Sequence, residues 1–246
     1  MTVLQQTNPN QCFYGDSIGI LVLDVKYPCV PGNVANATTY DFPVRYKVVK
    51  NASTERLLWE KDPTLIQPFI DAAKELQDEG VKAITGACGF MALFQNQVAA
   101  KLEVPVFLSS LLQVPFINQM LGSQKGIGVI SADASALTPD LFRAVGVTEG
   151  TKIALAGMEN QPEFSGAILK RKGSLDSQLI ETEVVAVAQK LKKANPDLGA
   201  ILLECSDLPP YAHAVQQAVQ LPVFDFISMI NHVHAALIQR PYQGAM

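Results

Sequence analysis

Ala83-Ile84-Thr85-Gly86-Ala87-Cys88-Gly89-Phe90 decides the reading of the fold, because a second stretch, Ala200-Ile201-Leu202-Leu203-Glu204-Cys205-Ser206-Asp207, falls on it when the chain is slid along itself by 205 − 88 = 117 residues. At that offset, without a gap, Ala83-Ile84 meets Ala200-Ile201, Cys88 meets Cys205, Val98 meets Val215, and Pro105-Val106-Phe107 meets Pro222-Val223-Phe224. Phe94 also meets Tyr211, and Leu102 meets Val219. The apolar residues of each copy step by four and line one helical face. Each copy is therefore strand, cysteine turn, helix, strand, and self-similarity at a fixed offset marks a duplicated unit. Working outward, Gly19-Ile20-Leu21 resembles Gly128-Val129-Ile130 at an offset of 128 − 19 = 109, which extends the duplication to the first strand of each half.

Short β-branched runs alternate along the chain with amphipathic stretches, the pattern of a parallel α/β sheet. Strands are predicted at 18–23, 81–85, 104–107, 127–130, 153–156, 200–203 and 222–224, with 43–50 as an edge strand. Helices are predicted at 64–79, 90–102, 135–145, 174–194, 211–219 and 227–238, and Asn33 to Phe42 reads as a long loop. The expected fold is α/β: two similar Rossmann-like or flavodoxin-like lobes with parallel sheets, related by a pseudo-two-fold axis, with the active site in the cleft between them. Residues 14–122 form the first lobe with Cys88 and 123–224 the second with Cys205. Residues 225–246 are expected to carry a C-terminal helix packing back on the first lobe.

Composition narrows the function. With 48% hydrophobic and 17% charged residues, the chain is an apolar globule long enough for a well-buried core. A net charge of −4 without a basic run leaves no footprint for nucleic acid or an anionic membrane. No apolar run nears the roughly 20 residues that span a bilayer. Met1 to Gln11 lacks the basic-then-apolar order of a signal peptide. A cytoplasmic protein acting on a small molecule is expected, with a homo-oligomeric state left open. Cys12, Cys29, Cys88 and Cys205 have no CxxC spacing, against a zinc site or disulfide framework.

In a parallel sheet the loops after the strand ends surround the ligand crevice, and both repeat cysteines sit in such loops. A helix start beside each thiol lowers its pKa and attracts a carboxylate; Ser206 or Asp207 caps the second helix, with Pro209 and Pro210 in its first turn. A lone cysteine is more often a small core side chain, and that reading stands for Cys12 and Cys29. Two thiols on equivalent turns have no packing reason to coincide, whereas a two-base reaction needs one proton carrier on each face of a planar carbanion.

At these turns the sequence resembles the aspartate/glutamate racemase superfamily, which includes hydantoin racemases, maleate isomerases and arylmalonate decarboxylases. Cys205-Ser206-Asp207-Leu208-Pro209 is similar to that family's Cys-Thr-His-Tyr-Pro turn, and Asp24 stands where the family's Asp-Ser-Gly aspartate assists the first cysteine. Thr85-Gly86-Ala87-Cys88-Gly89-Phe90 departs from the usual Cys-Asn-Thr turn, and Asp24 is followed by Val25-Lys26-Tyr27, so the superfamily is better marked than an aspartate or glutamate substrate. The resemblance implies a racemase or epimerase in which Cys88 and Cys205 exchange the proton next to a carboxylate, with no metal or organic cofactor. Asp24 and Asp207 support the thiols, and N–H groups of Gly89, Phe90, Ser206 and Asp207 stabilise the enediolate. The alternatives are an isomerase or decarboxylase of the same superfamily, a non-catalytic two-lobed binding protein, and a redox dithiol.

Other residues have two readings each. Arg45 either binds a second substrate carboxylate or is an exposed edge-strand arginine; Asn33 and Asn36 either reach the cleft or form turns; Ser109, Ser110 and Ser131 either face the crevice or cap. Gly126-Ile127-Gly128 enters a strand instead of leaving one, against a dinucleotide fingerprint. His213, His232 and His234 fall on helices away from the cysteine turns, which disfavours a serine hydrolase triad.

Overall fold

The computed structural model describes residues 9–122 and 124–245. Residues 1–8, most of the stretch read for a signal peptide, lie outside them, as do residues 123 and 246. Among the described residues eight strands form two sheets. β1 (Ile18–Leu23), β2 (Val44–Val49), β3 (Ala83–Gly86) and β4 (Val106–Phe107) lie in the order β2-β1-β3-β4; β5 (Gly126–Ser131), β6 (Ile153–Gly157), β7 (Leu198–Leu203) and β8 (Val223–Phe224) lie in the order β6-β5-β7-β8. Every neighbouring pair is parallel. The duplication extends to register: Ile84 pairs with Val106, and 117 residues on, Ile201 pairs with Val223.

The helices are α1 (Ile66–Asp78), α2 (Gln95–Ala99), α3 (Gln113–Met120), α4 (Pro139–Ala144), α5 (Pro162–Phe164), α6 (Ser177–Ala194), α7 (Ala212–Val219) and α8 (Phe226–Leu237). The glycine shared by β1 and β5 has a packing cause. A Cβ on Gly19 would come within 3.0 Å of Leu76 on α1, and one on Gly128 within 3.0 Å of Leu191 on α6, so each helix lies closer to its sheet than a side chain would allow. The offset grows from 109 to 117 after the second strand of each lobe, and α6, at 18 residues against 13 for α1, takes up most of the change. Ile20, Leu21, Ile201 and Leu202 are fully buried in the sheets, each worth roughly 1.5–3 kcal/mol of burial. α8 crosses back to the first sheet, where Phe226, Met229 and Ile230 pack with Ile18, Ile20 and Ala83. Asp225 starts it with a capping box closed by Ser228.

Three differences from the sequence reading matter. Gln113–Met120, for which no helix is predicted, is α3; Pro115 falls in its first turn, where a missing N–H leaves no intrahelical bond unmade. Each lobe carries a π-helical turn, Glu55–Trp59 and Ser165–Leu169, at equivalent places and equally unforeseen. Glu55 of the first turn pairs with Arg171 just beyond the second, and Trp59 Nε1 donates to Asp133 Oδ2 at 3.0 Å, so contacts between the lobes form beside these turns. The helix expected from Phe90 is a 3-10 segment, Gly89–Phe94, running into the short α2. Among the described residues no helix is long and apolar enough to cross a membrane.

Candidate active site

The C-terminal ends of β1, β3 and β7 open on one cavity of about 300 Å³, lined by Cys88 and Cys205 together. That volume is at the lower limit of ligand pockets, roughly 300–1,000 Å³, and suits a small metabolite. The β3 turn supplies Ala87 to Phe90 and the β7 turn Glu204 to Asp207; the loop after β1 adds Tyr27 and Cys29, and β2 adds Tyr46. Leu58, Ile168 and Leu169, from the two π-helical turns, close the rim with apolar surface.

Cys205 is buried beside Asp207, its Sγ 3.4 Å from Oδ2. The first lobe reaches across to hold that carboxyl: Asn33 Nδ2 donates to Oδ1 at 2.5 Å and Tyr27 OH donates to Oδ2 at 3.3 Å. Ser206 Oγ donates to the Ala87 carbonyl at 2.8 Å, tying the two cysteine turns together. Glu204 has no exposed surface. Its Oε2 accepts from Ser131 Oγ at 2.7 Å and its Oε1 has no hydrogen-bond partner.

Burial governs the electrostatics. It pushes both thiols well up, with the Glu204 carboxyl the next cause for Cys88 and Asp207 the next for Cys205. The N–H groups of Phe90 and Met91 pull Cys88 the other way without prevailing, so the lowered thiol pKa expected from a helix start does not occur. Burial also raises Asp207 from its ordinary value and lifts Glu204 to about 7. Burial thus favours the neutral thiol at both cysteines, and carboxyl groups, Glu204 and Asp207, stand on the same cavity wall.

Of the residues predicted from sequence, Cys88, Cys205, Gly89, Phe90, Ser206 and Asp207 line the cavity. Asn33 and Ser131 touch it through Asp207 and Glu204. Asp24 faces a separate depression with Lys26, Glu55 and Arg171, so the carboxyl bearing on Cys88 is Glu204. Arg45 points away from the cavity. It pairs with Asp16 and Glu79 and lies under the ring of Phe13, because Tyr46 and Val48 take the cavity side of β2 and alternation puts Arg45 on the other. Ser109 is fully buried and caps the turn at 110–112 through the Leu111 N–H, and Asn36 caps 37–39. Neither Ser206 nor Asp207 caps a helix, since both side chains are spent between the lobes. No histidine lines the cavity; His234 stacks on Phe42.

The sequence reading missed Glu204, Tyr27, Tyr46 and Cys29. Glu204 carried a signal, a charged residue ending the otherwise apolar run of β7. Cys29, read as core, lines the cavity, and burial raises its thiol to about 11.

The family model for Asp/Glu/Hydantoin racemase matches residues 60–233. The chain belongs to that family. Among curated relatives, dimethylsulfoniopropionate lyase 6 of Emiliania huxleyi is 34% identical over 236 residues, covering 93% of this chain and 61% of the relative. The dimethylsulfoniopropionate lyase of Durusdinium sp. clade D is 30% identical over 234 residues, covering 93% and 77%. This family member thus spans about three fifths of the length of the first of these relatives. Among solved structures, a glycine-to-cysteine variant of arylmalonate decarboxylase superposes with a TM-score of 0.61 over 93% of this chain and 97% of that one, at 17% identity, a likeness of fold.

Proposed function

We propose that this enzyme is a lyase that removes the proton next to a carboxylate and expels a sulfonium group from the adjacent carbon, with dimethylsulfoniopropionate as its substrate. The observation that carries this reading is the charge of the cavity. Among the described residues two carboxyls, three thiols and two phenols line it, and no lysine, arginine or histidine does. Such a wall suits a cationic head group over a second carboxylate, because carboxylates and aromatic faces attract a desolvated cation. The dimethylsulfoniopropionate lyases among the relatives, at 30–34% identity, point the same way. They favour elimination over the racemisation expected from the first resemblance.

In this reading Cys205 is the base, since its thiol has the carboxylate of Asp207 as a partner. The proton of Cys205 passes to Asp207, and the thiolate takes the α-proton. The C–H electron pair becomes the Cα–Cβ double bond, and the Cβ–S bond breaks with its pair on sulfur. Dimethyl sulfide and acrylate leave, and the proton taken from substrate is released to water. The N–H groups of the two cysteine turns hold the substrate carboxylate and its enediolate charge.

A racemase is the second reading, favoured by the presence of both thiols in one cavity. The two separate in one experiment: the protein is incubated in deuterium oxide with dimethylsulfoniopropionate, or with each enantiomer of aspartate and glutamate, and followed by NMR. Acrylate and dimethyl sulfide from the first, abolished in Cys205→Ser, with no deuterium entering the amino acids, is the expected result. α-Deuteration of an amino acid without elimination from the sulfonium substrate would overturn the lyase reading.

A further inference from the structure

Glu204 ends the apolar run of β7 one residue before Cys205, yet its side chain reaches the other cysteine turn. A Cβ at residue 89 would lie 1.8 Å from Glu204 Oε1 and 2.3 Å from its Cδ, so the carboxyl occupies the volume a side chain after Cys88 would need. One oxygen takes the Ser131 hydroxyl, and the other, fully buried, has no partner within the protein. A buried oxygen left unpaired by the protein is destabilising by roughly 1–3 kcal/mol, and more when charged, so Oε1 is the carboxyl oxygen open to a further partner.

We propose that Glu204 is a further acid–base group of this site, exchanging a proton with the thiol of Cys88 through its free Oε1. The step is balanced within the pair: the S–H bond of Cys88 breaks as an O–H bond forms on Glu204, one negative charge moving from oxygen to sulfur, and the reverse restores the thiol. The site then holds two thiol–carboxyl pairs, Cys205 with Asp207 and Cys88 with Glu204. The electrostatics divide the same way, since after burial Glu204 weighs most on Cys88 and Asp207 most on Cys205. The titratable groups that share the cavity with Glu204 are Cys88 on the β3 turn, Cys205 and Asp207 on its own turn, Tyr27 and Cys29 on the loop after β1, and Tyr46 on β2; Ser131 approaches from β5. No cation lines this cavity to fix the carboxylate form, which leaves Glu204 free to gain and lose a proton near neutrality.

The inference rests on Cys88 being a proton-carrying thiol of the proposed site, and its test needs no substrate. Alkylation of Cys88 by iodoacetamide is followed by peptide mass spectrometry from pH 5 to 9 in the full chain. In the unsubstituted protein the rate should climb about tenfold per pH unit and level off once Glu204 ionises, at about 7, because above that pH the pair shares one charge. Glu204→Gln should climb without levelling and overtake the unsubstituted protein above pH 7, because the amide carries no negative charge to hold the thiol protonated. Ser131→Ala, which removes a hydrogen bond favouring the carboxylate, should move the plateau to higher pH. A Glu204→Gln profile identical to that of the unsubstituted protein, or an unmoved plateau in Ser131→Ala, overturns the proposal. Failure to form acrylate with an intact plateau would count against the lyase reading alone.

Discussion

Gly89→Ala tests the contact on which the two cysteine turns close. The added methyl would sit 1.8 Å from Glu204 Oε1 and 2.7 Å from the Glu204 carbonyl oxygen, closer than Cβ atoms come to any neighbour. The side-chain oxygen can yield by rotation, at the expense of its Ser131 bond, whereas the carbonyl belongs to the backbone. Overpacking of this kind costs about 1–3 kcal/mol, and a lost hydrogen bond to a buried hydroxyl adds about 1 kcal/mol. Gly89→Ala should therefore lower stability by roughly 2–4 kcal/mol. Glu204→Ala vacates most of the volume, so the alanine at 89 should cost less than half as much in that background, a coupling of about 1–2 kcal/mol. Urea unfolding of the four proteins of the cycle at pH 6, followed by circular dichroism, measures it. Additivity within about 0.5 kcal/mol would mean that the Glu204 carboxyl does not rest against Gly89.

Asp207→Asn should leave the fold intact, since the amide oxygen still accepts from Asn33, but it removes the proton acceptor of Cys205; elimination should fall roughly 10²–10⁴-fold, the usual span for a general base, and an unchanged turnover number would remove Asp207 from the mechanism. Arg45→Met should leave the preference between sulfonium and dicarboxylate substrates unchanged and lower the unfolding free energy by no more than about 1 kcal/mol, as suits a partly exposed ion pair; a changed substrate ratio would return Arg45 to the site. Glu204 binds its proton more tightly folded than unfolded, so between its unfolded value near 4.5 and its folded value of about 7 the native state holds the extra proton and stability falls as pH rises. The loss reaches about 3 kcal/mol above pH 7 and should be absent in Glu204→Gln, so unfolding curves for the two that stay parallel from pH 4.5 to 7.5 would contradict a buried acid at this position.

The fold was legible because duplication leaves two kinds of trace. Identities such as Cys88 on Cys205 mark the turns, and the shared glycines at 19 and 128 mark where helices press on sheets. The π-helical turns left a fainter trace, since Leu57-Leu58-Trp59 and Ala167-Ile168-Leu169 match only as apolar residues at an offset of 110, with no identity and no shared capping residue. The cysteine turns were legible as places and illegible as environments. A helix start beside a thiol lowers its pKa only where the N–H groups outweigh the loss of solvent, and at Cys88 the loss of solvent prevails. Arg45 failed for a reason of parity: whether an edge-strand residue faces the cleft depends on which of two alternating faces closes over it, and Tyr46 and Val48 settled that.

The choice between returning a proton and expelling a group depends on charges that four separate segments bring together. In the proposed reaction Cys88 and Cys205 mark where a proton is taken, and their common place in the two lobes follows from their spacing. What stands opposite the substrate's far end is set by Tyr27 and Cys29 from the loop after β1, Tyr46 from the edge strand, and Glu204 and Asp207 from the other lobe. None of these has a repeat partner of its own type; at the 117-residue offset Glu204 falls on Ala87 and Asp207 on Phe90. Symmetry therefore accounts for the paired thiols and fails for the acids beside them. That asymmetry has a physical consequence. Two ionised carboxylates in a cavity without a cation repel each other, and the repulsion is relieved when one holds a proton or when a positively charged substrate enters. A dicarboxylate would add to the repulsion, whereas a sulfonium zwitterion brings its own cation to the acids and its carboxylate to the N–H groups of the turns. In the proposed reaction that cation leaves as neutral dimethyl sulfide, so the attraction that admits the substrate does not hold the sulfur product.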